Sequence, residues 1–189
     1  MNILLEREIA ALVKFFNAAK IRYAILGGIA VLLYGEPRLT MDVDVNISID
    51  RSDIDGFLRI GRKYGFYPIP GNIRSFIKKT GVIPMKFRKG KITGRCDVII
   101  AQNPIEFSAV ERAVIKKIGS VKAKVITPED LIIHKITSSR PRDIEDLRWI
   151  IARQKGKLDI KYIKFWLKKI AYANNERRLI KLFEGLIKG

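Results

Sequence analysis

Between Arg38 and Ile49 the chain alternates without a break. Arg38, Thr40, Asp42, Asp44, Asn46 and Ser48 are polar, and Leu39, Met41, Val43, Val45, Ile47 and Ile49 are apolar. A period of two predicts a half-buried strand with Asp42 and Asp44 on one face, about 7 Å apart along it. Upstream, residues 3–20 carry apolar positions at Leu5, Ile9, Leu12, Val13 and Phe16, a helical period. Residues 23–26 read as a short buried strand, and 29–34 as a helix that begins directly after Gly27-Gly28. Ser52 and Asp55 resemble a capping box for a helix running to about Lys63 and ended by Gly65. Short strands are expected at 66–69, 74–78 and 82–88, separated by Pro70-Gly71-Asn72 and Thr80-Gly81, with a tight turn at Lys89-Gly90-Lys91. Residues 95–101 hold the buried-strand run Val98-Ile99-Ile100, and Asn103-Pro104 starts a helix. Residues 113–126 alternate about Gly119-Ser120 as a hairpin does.

From Thr127 the pattern is helical only. Thr127-Pro128-Glu129-Asp130 combines a capping hydroxyl, proline at the first helical position and acids in the first turn. Further helices are expected at 141–154, 159–173 and 175–187, with Gly156 as a break. Tyr162, Phe165, Trp166 and Ile170 have helical spacing and read as core. The expected organisation is therefore a sheet-bearing domain over 1–126 and a helical region over 127–189.

The alternating segment also carries chemistry. Two carboxylates side by side repel each other unless something positive sits between them. Hard oxygen ligands on a rigid strand suit Mg²⁺, usually together with substrate phosphates. Glycine lets the backbone approach a ligand, and the free amides of a helix start bind anions, so Gly27-Gly28 supplies a phosphate cradle. The plainer reading is a tight turn plus two surface aspartates. Arg38 and Thr40 share the aspartate face, and Arg38 either steadies phosphate or offsets carboxylate charge.

The string Leu26-Gly27-Gly28, thirteen residues, then Asp42-Val43-Asp44-Val45 resembles the signature of the polymerase-β-type nucleotidyltransferase superfamily. With Ala30, Gly35, Arg38 and Thr40 it is similar to the AbiEii-like branch of small nucleotidyltransferases. The resemblance implies an α+β fold: a nucleotidyltransferase-like mixed sheet flanked by helices, followed by a C-terminal helical bundle. It also implies a third carboxylate on a strand beside the Asp-x-Asp strand. Asp97, opening the run Val98-Ile99-Ile100, matches that place, although a strand-start aspartate is also common at turns. In that scheme Asp42, Asp44 and Asp97 hold Mg²⁺ or Mn²⁺, and Asp97 accepts the proton of the attacking hydroxyl. An NTP gives up a nucleoside monophosphate and pyrophosphate leaves. The segment with Lys135, Arg140, Arg142, Asp143 and Asp146 resembles the family's later motif. It implies Lys135 as a phosphate contact positioned by Asp143, against the alternative of an ordinary solvated helix surface. Toxins of the AbiEii-like branch modify tRNA ends, so a tRNA-like acceptor and a neighbouring antitoxin or regulator are what the resemblance implies.

Composition changes the picture further. The formal charge is +18 over 189 residues, a field that attracts polyanions and points to an RNA partner, with an acidic protein partner as the competitor. Lys161, Lys164, Lys168 and Lys169 either track an RNA backbone or merely solvate their helix. A single cysteine, Cys96, excludes an internal disulfide, and a single histidine, His134, excludes a histidine-rich metal centre. No apolar run is long enough for a membrane span and no signal-peptide pattern precedes Glu6-Arg7-Glu8, so the expected location is cytoplasmic. Abundant Lys, Arg and Ile with only two Gln suits a thermophile. Two other functions stay open: AMP transfer to a partner protein, and a catalytically silent RNA-binding protein.

Overall fold

The computed structural model describes residues 3–36 and 39–188. Its elements run α1 (Ile3–Ala18), β1 (Arg22–Leu26), α2 (Gly27–Tyr34), β2 (Asp42–Ser48), α3 (Ile54–Lys63), β3 (Phe66–Pro68), α4 (Ile73–Thr80), β4 (Val82–Lys89), β5 (Ile92–Ile100), α5 (Pro104–Glu111), β6 (Val114–Ile118), β7 (Val121–Val125), α6 (Pro128–Ser138), α7 (Pro141–Arg153), α8 (Ile160–Asn174) and α9 (Arg178–Lys188). The chain forms two compact units, one of Met1–Ile29 with Leu39–Ile126, the other of Ala30–Arg38 with Thr127–Gly189.

The first unit is built on a seven-stranded mixed sheet in the order β3-β4-β5-β2-β1-β7-β6. β2 pairs parallel with β5 and antiparallel with β1, while β1 pairs parallel with β7. The α+β architecture that the resemblance implies is the one observed. Val43, Val45 and Ile47 of β2 are wholly buried, as are Ile9, Leu12, Phe15 and Phe16 of α1. Phe15 packs on Phe57 with ring centroids 4.6 Å apart, and Phe66 meets Phe87 at 4.9 Å. Each such side chain contributes about 1.5–3 kcal/mol through burial. This packing covers one face of β2 and leaves Asp42 exposed and Asp44 half-buried on the other.

In the second unit, Thr127 caps α6 by accepting from the Asp130 amide at 3.2 Å, and Pro128 stands in the first turn. Residues 30–36 join these helices through Arg153, which donates to the Gly35 carbonyl at 2.7 Å, and Gln154, which donates to the Tyr34 carbonyl at 3.1 Å. α8 buries Ile163, Leu167 and Ala171.

Four local expectations shift. Residues 74–78, expected as a strand, lie in α4. Asn72 caps that helix by accepting from Ser75 N at 3.1 Å, and Gly81 closes it in the left-handed region at φ 70°. Five residues cannot separate a period of two from one of 3.6, and Ile73, Phe76 and Ile77 carry the longer one. The α3 start lies at Ile54 and has no side-chain cap, so the Ser52–Asp55 capping box is not made. β2 begins at Asp42 rather than Arg38. On α8 the buried line is Ile163, Leu167 and Ala171, one step round the helix from the line read as core, and Phe165 is 51% exposed.

Candidate active site

β2 sets the site. Its alternation drives Val43 and Val45 into the core and turns Asp42 and Asp44 to the opposite face, Asp42 exposed and Asp44 half-buried. The parallel register with β5 puts Asp44 opposite Asp97 and Asp42 opposite Arg95. Partners in register emerge on the same side of neighbouring strands about 4.8 Å apart. Three carboxylates and one guanidinium therefore share a face. Arg95 donates to Asp97 through Nε at 3.4 Å and Nη2 at 3.5 Å, a long and partly exposed pair.

The antiparallel register with β1 places Leu26 opposite Asp44. The chain then turns at Gly27, whose φ of +62° suits glycine and which begins α2. A Cβ at Gly27 would overlap the Asp44 carboxylate, and one at Gly28 would overlap the Thr40 side chain. Thr40 Oγ1 in turn donates to the Asp42 carbonyl at 3.3 Å. The glycine pair is thus where the backbone and the acidic strand touch most closely, beside the amides that open α2. Gly27, Gly28, Thr40, Asp42, Asp44 and Asp97 come together in one unit. Arg38 lies outside the described residues.

The donor set is hard oxygen, which fits Mg²⁺ or Mn²⁺. Among the described residues no three acidic, histidine or cysteine side chains close into a metal cage. The Asp97 carboxylate is turned to Arg95 and so takes its positive neighbour from β5 itself.

Three further residues at this end of the sheet escaped the sequence reading. Glu8 of α1 is 2% exposed, and its Oε1 has no hydrogen-bond partner among the described residues. Burial, and then the charge of Asp42, push its carboxyl up to about 8. Glu8 sits one helical step from Leu5, Ile9 and Leu12, so the apolar period itself marks it as buried. Asn46, the next residue along the aspartate face, is 1% exposed, and neither amide atom has a partner among the described residues. Arg95 was legible as an i, i+2 neighbour of Asp97, but its place beside Asp42 depends on the β2–β5 register. Cys96 points into the core. Burial first, and then the charges of Glu8, Asp44 and Asp97, hold its thiol well above the usual range, so it is no nucleophile.

Lys135 and Asp143 meet in the second unit. The Lys135 ammonium lies 2.7 Å from Asp143 Oδ1 and 2.7 Å from Asp146 Oδ2, with the lysine side chain 7% exposed. Ser138 donates to the other Asp143 oxygen at 2.5 Å. Burial works to raise the Asp143 carboxyl. The hydrogen bonds from Lys135 and Ser138 and the charges of Lys135 and Arg140 outweigh it and hold the group below the usual carboxylate range.

A mixed sheet with a glycine turn against an Asp-x-Asp strand defines a class that comparison makes specific. The profile of the family described as nucleotidyl transferases of unknown function (DUF2204) matches residues 81–182, and the chain belongs to that family. The match includes Asp97, Lys135 and Asp143 and begins beyond Asp44. In fold, the chain is similar to an antigenic nucleotidyltransferase-like protein from Paracoccidioides brasiliensis, with 20% identity, TM-score 0.53, and coverage of 93% of this chain and 92% of that one. It is also similar to the antibiotic-resistance factor ANT(2'')-Ia, with 12% identity, TM-score 0.56, and coverage of 93% and 95%. No curated protein matches it. The nucleotidyltransferase-like fold and transferase class expected from the motif are those found. No helix among the described residues is long and apolar enough to cross a membrane.

Proposed function

We propose that this transferase moves a nucleoside monophosphate from an NTP to an RNA acceptor, with Asp42, Asp44 and Asp97 holding Mg²⁺ or Mn²⁺. The observation that carries the reading is the position of Asp44, in register with Asp97 and packed against Gly27. The amides at the start of α2 cradle the triphosphate, and Thr40 keeps the approach to β2 seated on Gly28. Bound there, a divalent cation offsets triphosphate charge and lowers the pKa of the attacking hydroxyl. Asp97 takes the hydroxyl proton as the new oxygen–phosphorus bond forms at the α-phosphorus. The bond from that phosphorus to the bridging oxygen breaks, and pyrophosphate leaves. Arg95 neutralises Asp97 until a cation does so, and the length of that pair suits an exchangeable partner.

Lys135 is already held by two carboxylates, so we read it as a positioning residue that locks α6 onto α7 through Asp143 and Asp146. The RNA acceptor is supported by the +18 charge. Placement in the AbiEii-like branch, with a tRNA end as acceptor and an antitoxin as partner, rests on the motif string from Gly27 to Asp44.

The test is incubation with labelled NTPs, Mg²⁺, total tRNA and cell lysate. Label in RNA, lost in Asp44→Ala, supports the proposal. Label in protein supports AMP transfer instead, and label on a small molecule supports an acceptor like those of antibiotic-resistance factors. Tight RNA binding without label supports a silent RNA-binding protein. Normal labelling by Asp44→Ala overturns the site assignment.

A further inference from the structure

α8 presents two opposite faces. Ile163, Leu167 and Ala171 are buried, while Lys161, Phe165, Lys168, Lys169 and Tyr172 are exposed. At 100° per residue the exposed set falls within about 100° of arc, and it extends about 16 Å along the axis. Phe165 is 51% exposed, with its ring edge-on to Trp166 at 5.6 Å between centroids, and Tyr172 is 93% exposed. The helix has four lysines and no acidic residue. Lys164 is paired with Glu184 at 3.5 Å, whereas Lys161, Lys168 and Lys169 form no ion pair among the described residues. Lys169 stands over the Phe165 ring at 4.6 Å and the Trp166 ring at 5.3 Å.

From this stripe we infer that α8 is a docking surface for an unpaired stretch of the RNA acceptor. The inference rests on the RNA reading above and adds where the strand binds. A merely solvated helix face calls for lysine but not for two exposed rings. Rings without lysines would suit an apolar partner. The combination matches a flexible polyanion whose bases offer π-faces at intervals: Phe165 and Tyr172 stack bases, while Lys161, Lys168 and Lys169 meet the phosphates between them. A duplex, with its bases already stacked, cannot use the rings. An acidic protein meets the lysines but gains nothing specific from two aromatic faces set seven residues apart.

The test measures binding of a fluorescent oligouridylate and of an RNA duplex to the full chain across a salt series. Phe165→Leu with Tyr172→Leu is expected to weaken oligouridylate binding about tenfold or more while changing duplex binding little. Lys161→Gln, Lys168→Gln and Lys169→Gln together are expected to lower the salt slope by about 2, at roughly 0.7 for each phosphate no longer neutralised. All five side chains are exposed, so an unchanged thermal midpoint establishes that the variants are folded. Native affinity in the ring variant, or an equal loss for duplex, overturns the proposal. If label still enters RNA in an Asp44-dependent way while the α8 variants bind normally, the RNA reading stands and this surface falls. If the native chain neither labels nor binds RNA, both fall.

Discussion

Two places in this molecule gather aspartates around a basic side chain, and they do it in opposite ways. On the sheet, Asp42, Asp44 and Asp97 share a face with Arg95, whose contacts to Asp97 are 3.4 and 3.5 Å and whose side chain is 55% exposed. In the helical unit, Lys135 meets Asp143 and Asp146 at 2.7 Å each, and the lysine and Asp146 side chains are 7% and 6% exposed. Among the described residues the first cluster sets three acids against Arg95, and its Arg95–Asp97 pair is long and partly exposed. The second is dry, short and closed by a hydroxyl from Ser138. A buried pair that loses one partner leaves uncompensated charge in a poor solvent, whereas an exposed one re-forms with water or ions. The same residue types therefore stand in different settings: one cluster is partly exposed on the sheet, and the other bridges α6 and α7.

Breaking the buried cluster is expected to give the largest effect. Lys135→Met removes the ammonium that meets buried Asp146 and half-buried Asp143 and should lower stability by about 3–5 kcal/mol in chemical denaturation. A loss below about 1 kcal/mol would mean that the cluster is not the lock described. On the sheet, Asp97→Asn should lower the transfer rate about 10²–10³-fold and leave the denaturation midpoint nearly unchanged, because it removes repulsion as well as a ligand. Gly27→Ala sharpens the contrast further. It forces a side chain into a φ of +62° and onto Asp44, so about 1–2 kcal/mol of stability should go together with activity.

The smallest expected effects are in pH dependence, and the two units should differ in sign. The Glu8 carboxyl is raised from 4.5 to about 8 in the fold, so between those values the folded chain holds a proton that the unfolded chain has lost. Its contribution to stability is greatest at low pH and declines by up to about 1.4 kcal/mol per unit as pH rises through that window. Glu8→Gln should flatten this alkaline decline in a pH series of thermal midpoints. Asp143 is depressed, so its contribution is present above about pH 3.8 and is lost as pH falls through the lower folded value. Asp143→Asn should remove that acid-side loss and leave the alkaline limb alone.

Much of the sheet was legible because alternation over twelve positions leaves only one way to seat β2, and its polar side then has to carry Asp42 and Asp44. The apolar run after Asp97 marked only a strand start; its place beside the Asp-x-Asp strand came from the resemblance, and the register bears that place out. What could not be read was pairing. That Arg95 stands beside Asp42 follows from the parallel β2–β5 register, and strands separated by some fifty residues reveal none of it locally. α4 was misread because its window was short and amphipathic in both periods. The α8 stripe was misplaced because Tyr162, Phe165 and Trp166 are large and apolar, whereas the buried line uses the smaller Ile163, Leu167 and Ala171. Size favoured the wrong face; burial follows the angle around the helix.

The central claim is that Asp42, Asp44 and Asp97 jointly hold a divalent cation beside the Gly27 turn. Its most direct test is an Mn²⁺ titration followed by electron paramagnetic resonance, with a non-hydrolysable NTP present, on the native chain and on Asp44→Asn. The account predicts a bound Mn²⁺ signal in the native chain that is weakened tenfold or more by the substitution. Equal Mn²⁺ affinity in the two proteins would contradict it.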